Sequence, residues 1–514
     1  MARLHEHKGK ELLREFNLHT PAGREAENPD DVFEAAKELD TPVVIKAQMW
    51  TTGRAGIGGI KFASDPESAR SAAQEIFKLK HKNFEVEKVL VEELLKIKQE
   101  FYAGIIIDDA RRQPTLIFSS IGGTGIEQIA QAHPDKVGKL AIDAVEGVKD
   151  FQARNLIRRT GITGRLQMQL AVVLVKLWQV ARAYECRSAE INPLVLTEDG
   201  RVVAADCRVA IDDYAVFRHP ELRIEIAREL DRPPTELDKI AYQVEKNDYR
   251  GTFYFIQMEQ GFQKGEGFIG FHGAGGGGSM MSMDAVTGLG FKLANFTDTS
   301  GNPPASKVYR AAKIILAQKN IDAYFGSGSG VASQEQFHSA RGLVKAFREV
   351  NLSKPAVIRL GGNSEDKAVE ILENYTKGLP APVEGYKKDD TAKFCAERLR
   401  ELVDNFEPPA AEGKPFAKPI AMKPYRFETI TGSITFDHAV CADCDSKICV
   451  ESCPPEILKL EAGLPILAIS EEGAKAGKCI ECLACEIECT FHGNKGAYID
   501  LPIAGLEEYV NEEG

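Results

Sequence analysis

Apolar residues along this chain change period from block to block. The stretch LHEHKGKELL, residues 4 to 13, opens with a helix-like pattern. TPVVIKAQ then gives a short β-branched run of the kind found in buried strands. VEKVLVEEL, FYAGIIID and TLIFSS predict further strands, and a long helical pattern runs from about Thr163 to Tyr184. The segment AEINPLVLTEDGRVVAADCRVAID reads as a hairpin whose turn is the EDG at 198 to 200. These elements make up a first block, residues 1–236.

The second block, residues 245–406, alternates strand and helix. GFIGFHGAGGGGSMMSMDAVTGLG is followed by ASKVYRAAKIILA, IDAYFGS, a helix near Ser333 to Val350, and PAVIRLGG. Such alternation predicts a parallel sheet covered by helices on both faces. Its glycines gather where strands end, which is where ligands sit in such sheets. A proline-rich stretch, FEPPAAEGKPFAKPIAMKPY, covers the linker 407–426 and predicts an extended chain. Beyond it, residues 427–508 form a compact block rich in cysteine.

Composition narrows the picture only in part. The 514 residues suffice for about three domains. A net charge of −12 argues against a broad nucleic-acid or membrane-surface role. No apolar run is long enough to span a bilayer, and MARLHEHKGKELL lacks a signal-peptide core, so a cytoplasmic location is expected. Eight of the eleven cysteines lie between Cys441 and Cys489. Disulfides are rare in the cytosol, so this cluster reads as metal ligation, while Cys186, Cys207 and Cys395 read as small buried hydrophobes.

Three groups of residues carry chemistry. In the first block, Lys46 lies on a strand just before the glycine loop TTGRAGIGG. Loop amides and cations of this kind either cradle phosphate oxygens or simply turn the chain. Across the hairpin, Asn192 of EINP and Asp206 of AAD are placed to face one another. An amide oxygen and a carboxylate either hold Mg²⁺ with its phosphates, or cap a turn and meet solvent. In the third block, CADCDSKICVESCP spaces Cys441, Cys444, Cys449 and Cys453, and KCIECLACEIECT spaces Cys479, Cys482, Cys485 and Cys489. The second spacing, C-x2-C-x2-C-x3-C, suits an iron–sulfur cube, with zinc as its competitor.

The order LHEHKGKELL, VVIKAQ, GRAGIGG, VEELLKIKQEFYAG, EINPLV, DCRVAIDDYAVFR resembles the β subunit of succinyl-CoA synthetase, an ATP-grasp acid–CoA ligase. The resemblance spans about 400 residues. It implies an α/β fold: an ATP-grasp domain, then a flavodoxin-like parallel-sheet ligase domain. It also implies that Lys46, Gly53 and Arg54 hold the phosphates of ATP or GTP, with Glu92 and Glu100 at the nucleotide. Asn192 and Asp206 would bind Mg²⁺, and Glu190 would sit beside a phosphorylated histidine. One departure is the loop GRAGIGG, where the family usually has GRGKAGG.

That histidine lies in a G-H-A-G-A loop of the family's α subunit, together with a CoA-binding Rossmann domain. None of the ten histidines here lies in such a loop. The resemblance therefore implies an α-type partner that carries the phosphohistidine and most of the CoA site, and a small carboxylic acid as substrate. The family's NGAG loop reads HGAG here, which points to His272 and Gly273 at the acid. GGGGSMM and ANFTDTSGNPPASKVYRAAKIIL look more like ATP-citrate lyase and citryl-CoA synthetase, where positions matching Ser279 and Arg359 serve a polycarboxylate. The next loop, FGSGSGVAS, lacks the Asn and Thr that hold citrate there.

The third block resembles a two-cluster bacterial ferredoxin, a small α+β fold. In that pattern the last cysteine of each motif ligates the other cluster. One 4Fe–4S cluster would use Cys441, Cys444, Cys449 and Cys489, and the other Cys479, Cys482, Cys485 and Cys453. Two departures are the two extra residues between Cys444 and Cys449, and Thr490 where proline is usual. Three readings of the whole follow: a ligase subunit with an electron-transfer module serving a redox partner, a nucleotide-binding redox subunit with a degenerate ligase core, and a working ligase with structural clusters. The sequence also predicts that the cysteine module is separable from the ligase.

Overall fold

The computed structural model describes residues 2–50, 54–81, 84–123, 126–228, 232–328, 330, 332–407 and 416–512. Two compact units divide the chain, Met1–Pro234 and Thr235–Gly514. Among the described residues no helix is long and apolar enough to cross a membrane.

The first unit is mixed α/β with two principal sheets. A four-stranded antiparallel sheet runs in the order Gly23–Ala26, Lys88–Glu93, Val43–Gln48, Ile60–Ala63. VVIKAQ is buried along its whole length, as a central strand between two neighbours must be. The helices Pro29–Leu39 and Pro66–Ile76 pack on this sheet through Val32, Ala36, Ala69 and Ala73. Both begin with a proline after a capping residue, Asn28 or Asp65, whose side chain accepts a backbone N–H that has no helical partner. The second sheet has seven strands, with Ile97–Asp108 and Cys186–Thr197 antiparallel at its centre. The 20-residue helix Gly164–Ala183 lies over it. The hairpin turns as expected, pairing Leu194–Leu196 with Val202–Ala204.

The second unit holds a seven-stranded sheet whose strands Asn295–Asp298, Phe268–Ala274, Ala323–Gly328, Ala356–Arg359 and Val383–Tyr386 are parallel. Alternate residues feed opposite faces. Ile269, Phe271, Phe325 and Val357 pack with Val286 and Leu399, from the helices Gly276–Thr287 and Ala392–Asn405. Tyr324 and Ile358 pack with Ile315, Val344 and Phe347, from the helices Ala305–Leu316 and Phe337–Glu349. The helix expected near Ser333 starts later. Ala332–Glu335 forms a short strand against Gly362–Asn363 before the chain turns into the helix.

The cysteine-rich block folds on a three-stranded antiparallel sheet, Pro424–Glu428, Ser433–Asp437 and Ala497–Asp500, with the helix Ala484–His492. It is not a free module. Its Phe427, Ile434, Phe436, Ile487 and Ile499 belong to the same continuous core as Val344 and Phe347. Polar pairs bridge the seam as well. The Lys345 ammonium lies 2.6 Å from Glu486 and 2.9 Å from Glu349. The Arg310 guanidinium donates to the Thr431 hydroxyl and carbonyl at 2.8 and 2.7 Å. Tyr375 stacks on Phe491 with ring centres 4.0 Å apart. This corrects the expectation of separability. A proline-rich stretch signals an extended chain, but whether the following block docks depends on the faces it presents.

Candidate functional site

In the first unit, side chains from distant segments converge on one buried ionic network. Lys46 and Glu92 sit diagonally on neighbouring strands, since Val44 pairs with Glu92 and Lys46 with Leu90. The helix Glu6–Glu15 lowers Glu6 and Lys10 onto them, one turn apart on the same face. The Lys46 ammonium lies 2.8 Å from Glu6, 2.9 Å from Glu92 and 2.7 Å from the Ala205 carbonyl. That of Lys10 lies 2.8 Å from Glu6 and 2.6 Å from Glu92. Arg54 donates to Glu6 at 2.9 Å, to Asp206 at 3.0 Å and to the Ala47 carbonyl at 2.9 Å.

Three cations therefore face three carboxylates, which is how buried charges are tolerated. Burial opposes the Lys46 charge, but Glu6 and Glu92 outweigh it and hold its pKa above the ordinary lysine value. Burial works against ionised Glu6 too, yet Lys46, Lys10 and Arg54 keep it well below the usual carboxylate range. Asp206 is the member in tension. Burial and the Glu6 charge push it up to about 6, against Arg54 and Lys46.

The hairpin brings Asn192 and Asp206 together, with the Asn192 N–H donating to the Asp206 carbonyl at 3.1 Å. The Asn192 amide also donates to the Gly123 carbonyl at 3.2 Å, which leaves its side-chain oxygen for another partner. Glu190, half-buried two residues earlier, stands opposite Arg208 in the ladder. Glu100 is exposed on the strand Ile97–Asp108. Gly53 lies outside the described residues. Lys46 and Glu92, expected to face the nucleotide, are instead each held by the other and by Glu6 and Lys10. Those last two were missed. Their signal was the acid–base pair at positions 6 and 10, one turn apart on the helix face that also carries Leu13.

The expected acid site in the second unit differs more. The His272 ring is buried between the Tyr324 hydroxyl and, at 3.2 Å, the Thr299 hydroxyl, so its side chain belongs to the core. Gly273 lets the following helix approach closely, because a Cβ there would stand 2.2 Å from the Ser279 hydroxyl. Ser279 is fully buried, and its hydroxyl donates back to the Gly275 carbonyl at 3.1 Å. The Arg359 guanidinium is taken by three backbone carbonyls, of Asp390, Gly328 and Lys388, at 2.6, 2.8 and 2.7 Å. It pins loops together, with three of its five N–H groups donated to backbone.

Burial pushes the His272 pKa down to about 4, whereas an unfolded histidine titrates near 6.5. Between those values the unfolded chain binds the extra proton, so stability is full above about pH 6.5 and falls as pH drops towards 4. The contribution is about 3 kcal/mol. Changing His272 to Asn should flatten the acid limb of a stability-versus-pH curve by that amount. An unchanged limb would place the ring in contact with water.

The cysteines of the third block are buried and unpaired. They line two cavities. Cys441, Cys444, Cys449 and Cys489 line one. Cys453, Cys479, Cys482 and Cys485 line the other. Each cavity thus takes three cysteines from one motif and one from the other. Among the described residues no three His, Cys, Asp or Glu side chains come together as they would around a single metal ion. Burial pushes the Cys441 thiol up to about 11 and those of Cys449 and Cys479 up to about 12.

Known proteins resemble this chain over most of its length. Residues 3–196 match the model of the ATP-grasp domain. The β subunit of the GDP-forming succinate–CoA ligase of Thermus thermophilus is 36% identical over 371 residues, covering 72% of this chain and 93% of that protein. The β subunit 2 of the ADP-forming succinate–CoA ligase of Archaeoglobus fulgidus is 36% identical over 381 residues, covering 74% and 94%. The structure of ATP citrate lyase from Methanothrix soehngenii, in complex with citrate and coenzyme A, superposes with a TM-score of 0.65 at 19% identity. It covers 78% of this chain and 99% of that one, a likeness of fold.

Fold and relatives together define an ATP-grasp acid–CoA ligase subunit. The chain belongs to the succinate–CoA ligase β-subunit family.

Proposed function

We propose that this chain is the β-type subunit of a heteromeric ligase. The enzyme would join a small carboxylic acid to CoA at the expense of ATP or GTP, through a phosphohistidine on an α-type partner. The observation that carries this reading is the Arg54–Asp206 pair, set against Asn192 and backed by Lys46, inside a unit of the family's fold. Arg54 and Lys46 supply positive charge for nucleotide phosphates. The Asp206 carboxylate and the Asn192 side-chain oxygen are hard ligands suited to Mg²⁺. Glu190, on the same strand as Asn192, would orient the incoming histidine.

The chemistry needs three transfers. The γ-phosphoryl group passes from nucleotide to histidine and releases the diphosphate. It then passes to a carboxylate oxygen, giving an acyl phosphate. The CoA thiolate attacks the acyl carbon and phosphate leaves. Splitting the reaction gives the carboxylate a competent leaving group before a thiol attacks it. The first turn of Gly276–Thr287 presents amides that have no acceptor within the helix, and anionic groups of the acid site would meet them there.

The cysteine cavities would hold two 4Fe–4S clusters. Each cavity is lined by three cysteines of one motif and the last cysteine of the other, the exchange of ligands found in two-cluster ferredoxins, which supports this reading. When bound, such clusters supply one-electron transfer. Acyl-CoA formation changes no oxidation state, so a redox partner that reduces the acyl-CoA is the reading we favour for them. A second reading draws on Lys46 and Arg359, both held by protein groups: a nucleotide-binding redox subunit whose ligase core no longer turns over.

Co-expression with an α-type partner, followed by a screen for CoA-dependent release of ADP or GDP over carboxylic acids, separates the two. Turnover on one acid supports the ligase. Nucleotide binding without turnover on any acid supports the second reading. Anaerobically purified chain should carry about eight iron and eight sulfide, from two cubes with four cysteines each. Stoichiometric zinc in their place would refute the cluster assignment.

A further inference from the structure

The two lysines of the buried network in the first unit are bonded to the same groups. The Lys10 ammonium donates to Glu6 Oε1 at 2.8 Å, to the two Glu92 oxygens at 2.6 and 2.7 Å, and to the Ala205 carbonyl at 2.8 Å. The Lys46 ammonium donates to the same Glu6 oxygen at 2.8 Å and to the same carbonyl at 2.7 Å, and it pairs with Glu92 at 2.9 Å. Each of these Lys46 partners is thus held by Lys10 as well. Depth separates the two. The side chains of Lys10, Glu6 and Glu92 are 1%, 2% and 1% exposed. That of Lys46 is 9% exposed, and that of Arg54, on the other Glu6 oxygen, 15%. Lys10 and the two glutamates form a floor, with Lys46 and Arg54 nearer solvent.

An ammonium has three N–H groups. With three acceptors already around it, Lys46 gains a phosphate oxygen by loosening its hold on one of them. A buried carboxylate left without a cation would make that exchange costly. Lys10 removes the cost. It already touches Glu6 and both oxygens of Glu92, so both stay paired when Lys46 turns outward. Two ammonium groups crowded onto one set of acceptors also repel, which favours departure of the more exposed. The flexible four-carbon stem of lysine permits the move.

We propose that Lys10 is a positioning residue for nucleotide binding: it takes over Glu6 and Glu92 and so frees the Lys46 ammonium for the phosphates of a nucleoside di- or triphosphate. This rests on the nucleotide reading above and deepens it. The observed arrangement is then the resting form of the site, with Lys46 stored on the floor until phosphate arrives. The share of chains in which Lys46 is free sets the apparent affinity.

The test is calorimetric titration of the full-length chain with Mg-ATP and, separately, with Mg-GTP. Lys10→Met leaves Lys46 as the one cation on Glu92 among the described residues. The dissociation constant of whichever nucleotide the parent binds should rise about tenfold or more. Glu92→Gln weakens the floor's hold on Lys46 while Lys10 still neutralises Glu6, and should lower that constant about threefold. The double change should return to within about threefold of the parent. A merely structural role for Lys10 and Glu92 predicts weaker binding from both single changes. Binding of the free nucleoside, followed by ligand-observed NMR, should be unchanged in all three variants, because it offers Lys46 no phosphate. A Glu92→Gln chain that binds nucleotide more weakly than the parent overturns the proposal. So does an unchanged constant in folded Lys10→Met, or an equal loss of affinity for the nucleoside. If Lys10→Met does not fold, the direction of the Glu92→Gln shift decides. A parent chain that binds neither nucleotide would instead refute the nucleotide reading and take this inference with it.

Discussion

Replacing Asp206 by alanine should slow phosphoryl transfer to the partner's histidine by roughly a thousandfold while the fold survives. As a Mg²⁺ ligand the carboxylate would neutralise charge that builds on the transferring phosphate, an effect of several kcal/mol. The fold should survive because Asp206 is the strained member of its network, pushed up to about 6 by burial and Glu6. Arg54 keeps Glu6 and the Ala47 carbonyl when Asp206 is gone. Single-turnover labelling of the partner at limiting Mg²⁺, beside a melting curve, reads both halves. Near-normal labelling would reduce Asp206 to a turn residue, and a collapsed melting curve would make it structural.

Replacing Lys345 by methionine should cost about 3–5 kcal/mol of stability in the second unit, because it strands the buried Glu486 carboxylate. Lys345 is the ammonium shared by Glu349 and Glu486, at 2.9 and 2.6 Å. Glu349 would keep the Tyr309 hydroxyl at 2.6 Å and the Lys313 ammonium at 3.4 Å, while Glu486 would keep the Ile499 N–H at 3.0 Å. At Glu486 that neutral donor does not replace a cation. Since Glu486 lies between Cys485 and Cys489, the loss should appear as faster bleaching of iron absorbance and as a lower denaturant midpoint. The double change Lys345→Met with Glu486→Leu should recover part of the stability, since it removes the stranded charge. A variant that unfolds within 1 kcal/mol of the parent would mean that the apolar core alone docks the cysteine block.

Local pattern carried a good deal of this. A β-branched run flanked by turn residues must be a central strand, and VVIKAQ is one. The EDG turn sets the register that puts Asn192 opposite Asp206, because a hairpin's pairing follows from its turn. Cysteine spacing within each motif keeps three thiols on one loop, and the cavities contain those triplets. These features depend on residues a few positions apart, so the sequence by itself determined them.

Partners of buried charges were decided elsewhere. Nothing near Lys46 in sequence announces that Glu6 and Lys10 will descend on it from the opening helix, or that Ala205 will offer its carbonyl. Arg359 reads as a carboxylate ligand until the loops at Gly328, Lys388 and Asp390 close around it. His272 reads as a loop residue until the pleat of its strand turns the ring towards Tyr324 and Thr299. The cysteine block reads as detachable until Lys345, Arg341 and Arg310 are seen buried against it. A charge taken out of water must find its counter-charge wherever the chain brings one, often a hundred or more residues away. Only the tertiary structure fixes that meeting, because burial and Coulomb attraction act through space and leave no periodic trace in the sequence.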